Sequence, residues 1–168
     1  NRTYPKADRT FKPDEVVVPG FLPASLPAVR LEIAEYFTSV HRCDQTVGVI
    51  LEELRSAGLE HNTVVVFLSD HGMALPFAKT NVYLASTKVP WIVRWPGRVS
   101  PSTVDSKHFV SALDLMPTML DIAGVEKPSG MDGRSFVPLL LGQDQAGRDR
   151  VLTVFYRTSG RRKYPMRC

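Results

Sequence analysis

The stretch Ser69-Asp70-His71-Gly72 sets a carboxylate beside an imidazole directly after the apolar run Val64-Val65-Val66-Phe67-Leu68. In open α/β sheets, functional groups gather just beyond the carboxyl ends of strands. An acid and an imidazole at such a point can supply two adjacent ligands to one cation. Gly72 lets the backbone turn sharply enough for both to face the same place. So short a motif also has a purely structural alternative, which is favoured for the bare triplet: Asp70 caps the next turn while His71 hydrogen-bonds a loop carbonyl.

Other groups with chemical potential carry less weight. Cys43 and Cys168 offer neither a disulfide framework nor metal-ligand spacing, and Cys43, on a predicted helix, reads as a small packing residue. His41 falls on the polar side of that helix, His61 in a turn, and His108 before a second helix as a surface or capping group. Asp114 and Asp121 cap or solvate that second helix. Trp91 and Trp95 alternate with Ile92 and Arg94, a pattern of core or subunit packing.

The elements that must position Asp70 and His71 follow from periodicity. Residues 1–27 form an extended, proline-punctuated arm with Val16-Val17-Val18 as its only apolar run, so it should lie across a larger body. Over residues 28–57, Val29, Ile33, Phe37, Val40, Val47, Ile50, Leu51 and Leu54 recur at helical steps, opened by Ser25 or Pro27 and closed by Gly58. The run Val64 to Leu68 lacks polar alternation and predicts a strand buried on both faces, as in a parallel sheet. Residues 71–88 read as loop with one helical turn at most, and Val89 to Trp95 as a second strand ended by Pro96-Gly97. A second helix spans Ser111 to Ala123, capped by Ser111 or Asp114, with Pro117 in its first turn and Gly124 at its end. A short apolar helical turn covers Ser135 to Leu141, and a third strand runs from Val151 to Tyr156.

Composition bounds the class. The chain has 168 residues, 43% of them hydrophobic and 23% charged, which suits one modest globular domain. It contains no apolar run long enough to span a membrane, and Asn1 to Pro5 lack the apolar stretch of a secretory signal. With no initiator methionine, the chain is expected to begin inside a longer protein, so export of such a parent stays open. The net charge of +4 is concentrated in Arg157, Arg161, Arg162, Lys163 and Arg167. That tail suits an acidic partner such as a sulfated glycan, a phosphate ester or nucleic acid, though pairing with acidic groups elsewhere in a longer parent is the stronger reading.

The order of motifs points further. Leu59-Glu60-His61-Asn62-Thr63, the strand, Ser69-Asp70-His71-Gly72, Lys79, Tyr83 and Lys88-Val89-Pro90-Trp91-Ile92-Val93-Arg94-Trp95-Pro96-Gly97 resemble the C-terminal half of sulfatases of the alkaline phosphatase superfamily. The likeness continues through Ala112 to Thr118, Ala123-Gly124-Val125 and Asp132-Gly133-Arg134-Ser135, and reaches upstream through Arg30, Glu32 and Tyr36. Pro76 to Tyr83, with Phe155-Tyr156-Arg157 and Tyr164 to Arg167, looks most similar to the heparan N-sulfatase (sulfamidase) branch and its bacterial relatives.

This resemblance implies an α/β fold: part of an alkaline-phosphatase-like sandwich with a mainly parallel central sheet flanked by helices, incomplete without an N-terminal part. It implies residues 1–27 as an arm, 28–145 as the C-terminal portion of the catalytic domain, and 146–168 as the start of a C-terminal subdomain. Asp70 and His71 become metal ligands, and Lys79 becomes the catalytic cation that contacts the sulfate group, where developing negative charge needs a positioned ammonium. Arg157 is a further candidate for binding substrate. The implied metal is calcium, with manganese or zinc open because His71 supplies nitrogen. The substrate is a sulfated small molecule or glycan, cleaved at a sulfate ester or sulfamate; neither nucleic acid nor membrane is expected, and a homo-oligomer is possible.

The departures matter as much. Sulfatases use a Cys or Ser in a Cys/Ser-x-Pro-x-Arg context, oxidised to formylglycine. Cys43 is followed by Asp44-Gln45-Thr46-Val47, Cys168 ends the chain, and no serine here has that context. The nucleophile is therefore expected outside this chain, and the isolated chain should be inactive and expose apolar surface. Two alternatives remain open: a phosphoester or phosphonate hydrolase of the same superfamily, and a non-catalytic module holding acidic polymers through its basic tail. A periplasmic, secreted or lysosome-like location suits the resemblance, with the cytoplasm not excluded.

Overall fold

The computed structural model describes residues 6–159 and 162–167, with side chains through residue 156. The chain forms two compact units: Asn1–Glu60 with Ser69–Val89, and His61–Leu68 with Pro90–Cys168.

The first unit is organised by helix α1, Pro27–Ser56, which begins with Pro27 at its first position, where a missing N–H costs nothing. Gly58, at φ 68°, supplies the left-handed residue that ends it. Residues preceding the helix pack back along it. Val16 and Leu22 are buried with Ile33 and Ala34, and Phe11, Val18, Val29, Met73 and Leu75 pack against them. Polar ties run beside that core: the Phe11 amide donates to Thr38 Oγ1 at 3.0 Å, and His41 Nε2 meets Asp8 Oδ1 at 2.5 Å. Cys43 is exposed, correcting its expected packing role. Leu31, Val40, Val49 and Ile50 on α1 are also about half exposed or more, so only part of the apolar stripe finds cover within this chain. The short helix α2, Leu84–Thr87, is the single helical turn foreseen in the loop.

The second unit holds strands β1, Val65–Leu68, and β2, Trp91–Arg94. They pair antiparallel, with Val65 opposite Arg94 and Leu68 opposite Trp91. β2 is thus an antiparallel neighbour on one edge of β1, reached through a segment that carries only the one-turn α2. All four β1 residues are half-buried rather than buried. Strands β3, Val154–Ser159, and β4, Arg162–Arg167, form a separate antiparallel pair. β3 starts later than the reading from Val151, and β4 carries no clear apolar alternation to announce it.

The predicted second helix opens with a 3₁₀ turn, Ala112–Asp114, and continues as α3, Leu115–Ile122. Ser111 is the cap: its hydroxyl accepts from Leu113 N while Asp114 reaches back to the Ser111 amide, a capping box. Asp114 does far more than cap. It is only 3% exposed and accepts from Ser111 N, Arg134 N and both guanidinium arms of Arg148 at 2.7–2.8 Å. Thr118 Oγ1, fully buried, donates to Asp114 O and accepts from Phe136 N. Phe136, just before helix α4, Val137–Leu140, meets the Trp91 ring edge-on at 5.2 Å. Trp91 is thus a packing residue, as its alternation suggests.

Two outcomes follow for this unit. Replacing Asp114 with Ala strands a part-buried guanidinium and two amides, and urea unfolding should register a loss of roughly 3 kcal/mol. Asp105, held down to about 2 by the amides of His108 and Lys107 and by the His108 ring, should titrate there in a carboxyl-carbon NMR experiment. Its folded value lies below the ordinary one, so its stabilisation is present above the ordinary value of 3.8 and is lost as pH falls through about 2. At 43% side-chain exposure, water screens that contribution and keeps it small.

Candidate functional site

The turn after residue 68 is closed by its own side chains. Ser69 Oγ donates to His71 O at 2.8 Å, and the His71 amide donates to Asp70 Oδ1 at 3.0 Å. His71 Nδ1 lies 2.8 Å from Gly72 O, a carbonyl that can only accept, so this nitrogen carries the proton. His71 Nε2 then faces Asp70 Oδ2 at 3.1 Å. In the neutral ring both of those atoms are acceptors, and two acceptors so close require a proton or a cation between them. The capping and carbonyl contacts of the structural alternative are therefore present, and they hold the Asp70 and His71 side chains against each other.

Asp70 is 81% exposed, with Oδ1 accepting from the His71 amide and Oδ2 facing His71 Nε2. Among the described residues, no cluster of three or more His, Cys, Asp or Glu side chains could hold a metal ion. The chain thus presents two convergent donors, one oxygen and one nitrogen.

Gly72 fixes this turn against the loop that follows. A Cβ at Gly72 would lie 1.9 Å from Ala85 O and 2.5 Å from Ala78 O, and its amide donates to Ser86 O at 3.1 Å. Both ends of the loop are therefore pinned to the residue beside His71. Met73 and Leu75, between them, pack on the arm–helix core. Ala78 is fully buried, and half-buried Lys79 follows it. Phe77 and Thr80, flanking Ala78 and Lys79, both take left-handed backbone, at φ 66° and 58°, a strained conformation that clusters at functional sites. Asn81 went unnoticed in the sequence. Its Nδ2 donates to Lys79 O at 2.7 Å and its Oδ1 accepts from Tyr83 N at 2.9 Å, so one amide staples the loop. Its residue type was the local signal, since an asparagine side chain readily bonds the backbone two residues on and so marks a turn. The Arg157 side chain lies outside the described residues.

A sulfatase family model matches residues 1–125. The chain belongs to the sulfatase family. It is 38% identical to the human N-sulphoglucosamine sulphohydrolase over 141 residues, covering 79% of this chain and 28% of that protein. It is 40% identical over 115 residues to an endo-4-O-sulfatase of Bacteroides thetaiotaomicron, covering 64% of the chain and 22% of the relative. Among solved structures, a phosphonate monoester hydrolase from Silicibacter pomeroyi superposes with a TM-score of 0.73 at 28% identity, covering 94% of the chain and 32% of the hydrolase. This sulfatase chain therefore spans less than a third of the length of these relatives, and it is part of the superfamily's α/β fold.

The close approach at Gly72 gives a direct test. Gly72→Ala should displace the carbonyls of Ala78 and Ala85 and cost roughly 3 kcal/mol, because backbone rather than a flexible side chain must move. Thermal unfolding and faster amide exchange across residues 72–86 would register it; an unchanged exchange pattern would contradict the described packing.

Proposed function

We propose that this chain contributes the metal- and sulfate-anchoring part of a sulfatase that cleaves a sulfate ester or sulfamate of a glycan. The carrying observation is the convergence of Asp70 and His71 at 3.1 Å, with the other ring nitrogen committed to Gly72 O. An oxygen and a nitrogen so placed fit a divalent cation: calcium through the carboxylate, with manganese or zinc suited by the imidazole. Such an ion, when bound, supplies positive charge beside the sulfuryl oxygens. Gly72 and Ser69 hold the donors in register, and Lys79, gripped by the Asn81 staple, offers an ammonium where charge develops on a transferring sulfuryl group.

Calcium takes six or more oxygen ligands, so two donors leave the set incomplete. Cys43 is exposed in the middle of α1 and lacks the Pro and Arg of a formylglycine context. The isolated chain is accordingly read as inactive, its remaining ligands and nucleophile coming from the rest of a longer sulfatase. The similarity to relatives about three times its length supports this, as do the exposed apolar side chains of α1. The domain reading, with 1–27 as arm, 28–145 as catalytic portion and 146–168 opening a C-terminal subdomain, is retained on the same grounds. The similarity to N-sulphoglucosamine sulphohydrolase supports a sulfated amino sugar as substrate. A second reading, phosphonate or phosphoester hydrolysis, draws support from the phosphonate monoester hydrolase likeness and from the nitrogen donor.

A protein that unites this chain with a Cys/Ser-x-Pro-x-Arg segment decides between them. With 4-nitrophenyl sulfate, Lys79→Ala should lower kcat/KM by about 10²–10³-fold, the scale of one lost charge-stabilising donor. Asp70→Ala should abolish most turnover and weaken metal binding by calorimetry. Turnover of 4-nitrophenyl phosphate or a phosphonate ester in preference to the sulfate would install the second reading, and full activity in Asp70→Ala would remove both.

A further inference from the structure

Thr80 holds a left-handed backbone, at φ 58°, immediately after Lys79. For a β-branched residue this conformation is a genuine outlier, and it persists only where neighbouring structure imposes it. Thr80 is exposed, so burial does not hold it there. The bond that spans it runs from Asn81 Nδ2 to Lys79 O at 2.7 Å, while Asn81 Oδ1 accepts from the Tyr83 amide at 2.9 Å. One side-chain amide thus closes the chain across its strained residue.

The two sides of Lys79 are therefore fixed by different means. On the side of Ala78, packing and backbone do it: Ala78 is fully buried, its amide donates to Leu75 O at 3.1 Å, and its carbonyl lies against Gly72. On the other side, Asn81 links the Lys79 carbonyl to Tyr83, the residue that precedes α2. Without that link Thr80 relaxes toward negative φ, and the chain leaving Lys79 is no longer held to one path. A lysine ammonium rides on a flexible four-carbon stem, so its placement depends on a fixed root. We propose that Asn81 is the positioning residue for Lys79, holding Thr80 in its left-handed form and so fixing the backbone from which the ammonium reaches the sulfate. This rests on the reading of Lys79 as the sulfate contact and deepens it: Asn81 acts through the loop backbone, not on the substrate.

A double-mutant cycle tests it in the protein that unites this chain with a Cys/Ser-x-Pro-x-Arg segment, with 4-nitrophenyl sulfate as substrate. Asn81→Ala should lower kcat/KM by about tenfold, less than Lys79→Ala does, because the ammonium is displaced rather than removed. Asn81→Asp keeps the acceptor for the Tyr83 amide but gives up the donor to Lys79 O, and it should lose as much. Thermal unfolding of each variant shows that it folds, and Asn81→Asp carries the test if Asn81→Ala does not. Combined with Lys79→Ala, neither substitution should cost more than about a further twofold, since nothing is left to position. A merely structural asparagine would lower activity by the same factor in both backgrounds. That result, or unchanged kcat/KM in the folded single variants, overturns the positioning role while a large loss in Lys79→Ala leaves the sulfate contact standing. Full turnover in Lys79→Ala removes the contact itself, and the positioning role with it.

Discussion

The loop that carries the candidate site depends on one point of contact, the approach of two backbone carbonyls to Gly72. Ala85 O and Ala78 O occupy the space that any Cβ would need, and the Gly72 amide is spent on Ser86 O. Because those carbonyls belong to opposite ends of the following loop, the contact closes that loop into a ring anchored one residue from His71. Everything proposed for the site rests on this closure. It holds the end of the Asp70–His71 turn, and it fixes Ala78 and therefore the root of Lys79.

Around that contact, local hydrogen bonds act in one direction. Each of the bonds from Ser69 Oγ, the His71 amide and His71 Nδ1 is a capping interaction of the kind that short polar turns make anywhere. Together they leave Nε2 and Oδ2 facing each other at 3.1 Å, a spacing that a proton or a cation between them satisfies.

The second unit shows a different economy. Asp114 gathers two amides and a bidentate arginine in a nearly closed environment, and Thr118 links the same helix to the amide of Phe136. Gly133 lies so close to Leu113 O that a side chain there would clash at 2.0 Å, which brings the Arg134 amide to the Asp114 carboxylate. Here the charged residue serves the fold: burial and full satisfaction of its lone pairs make it a clamp between segments distant in sequence.

Much was legible in the amino-acid sequence because it is encoded locally. The apolar spacing of α1, Gly58 at its end, the capping box at Ser111 and the order of motifs from Leu59 to Gly97 are properties of neighbouring residues, and they sufficed to name the family and to single out Asp70, His71 and Lys79. Partners across space were not legible. Antiparallel pairing of β1 with β2, the bond of His41 to Asp8, the grip of Arg148 on Asp114 and the staple from Asn81 all join residues whose proximity only the folded chain creates. The exposure of Cys43 and of Phe37, Val40 and Ile50 in the α1 stripe was likewise decided in three dimensions, since periodicity tells which side chains share a face but not whether anything covers it. Asp70 and His71 face each other through bonds between sequence neighbours, whereas the carbonyls of Ala78 and Ala85 that close on Gly72 beside them were placed only by tertiary packing.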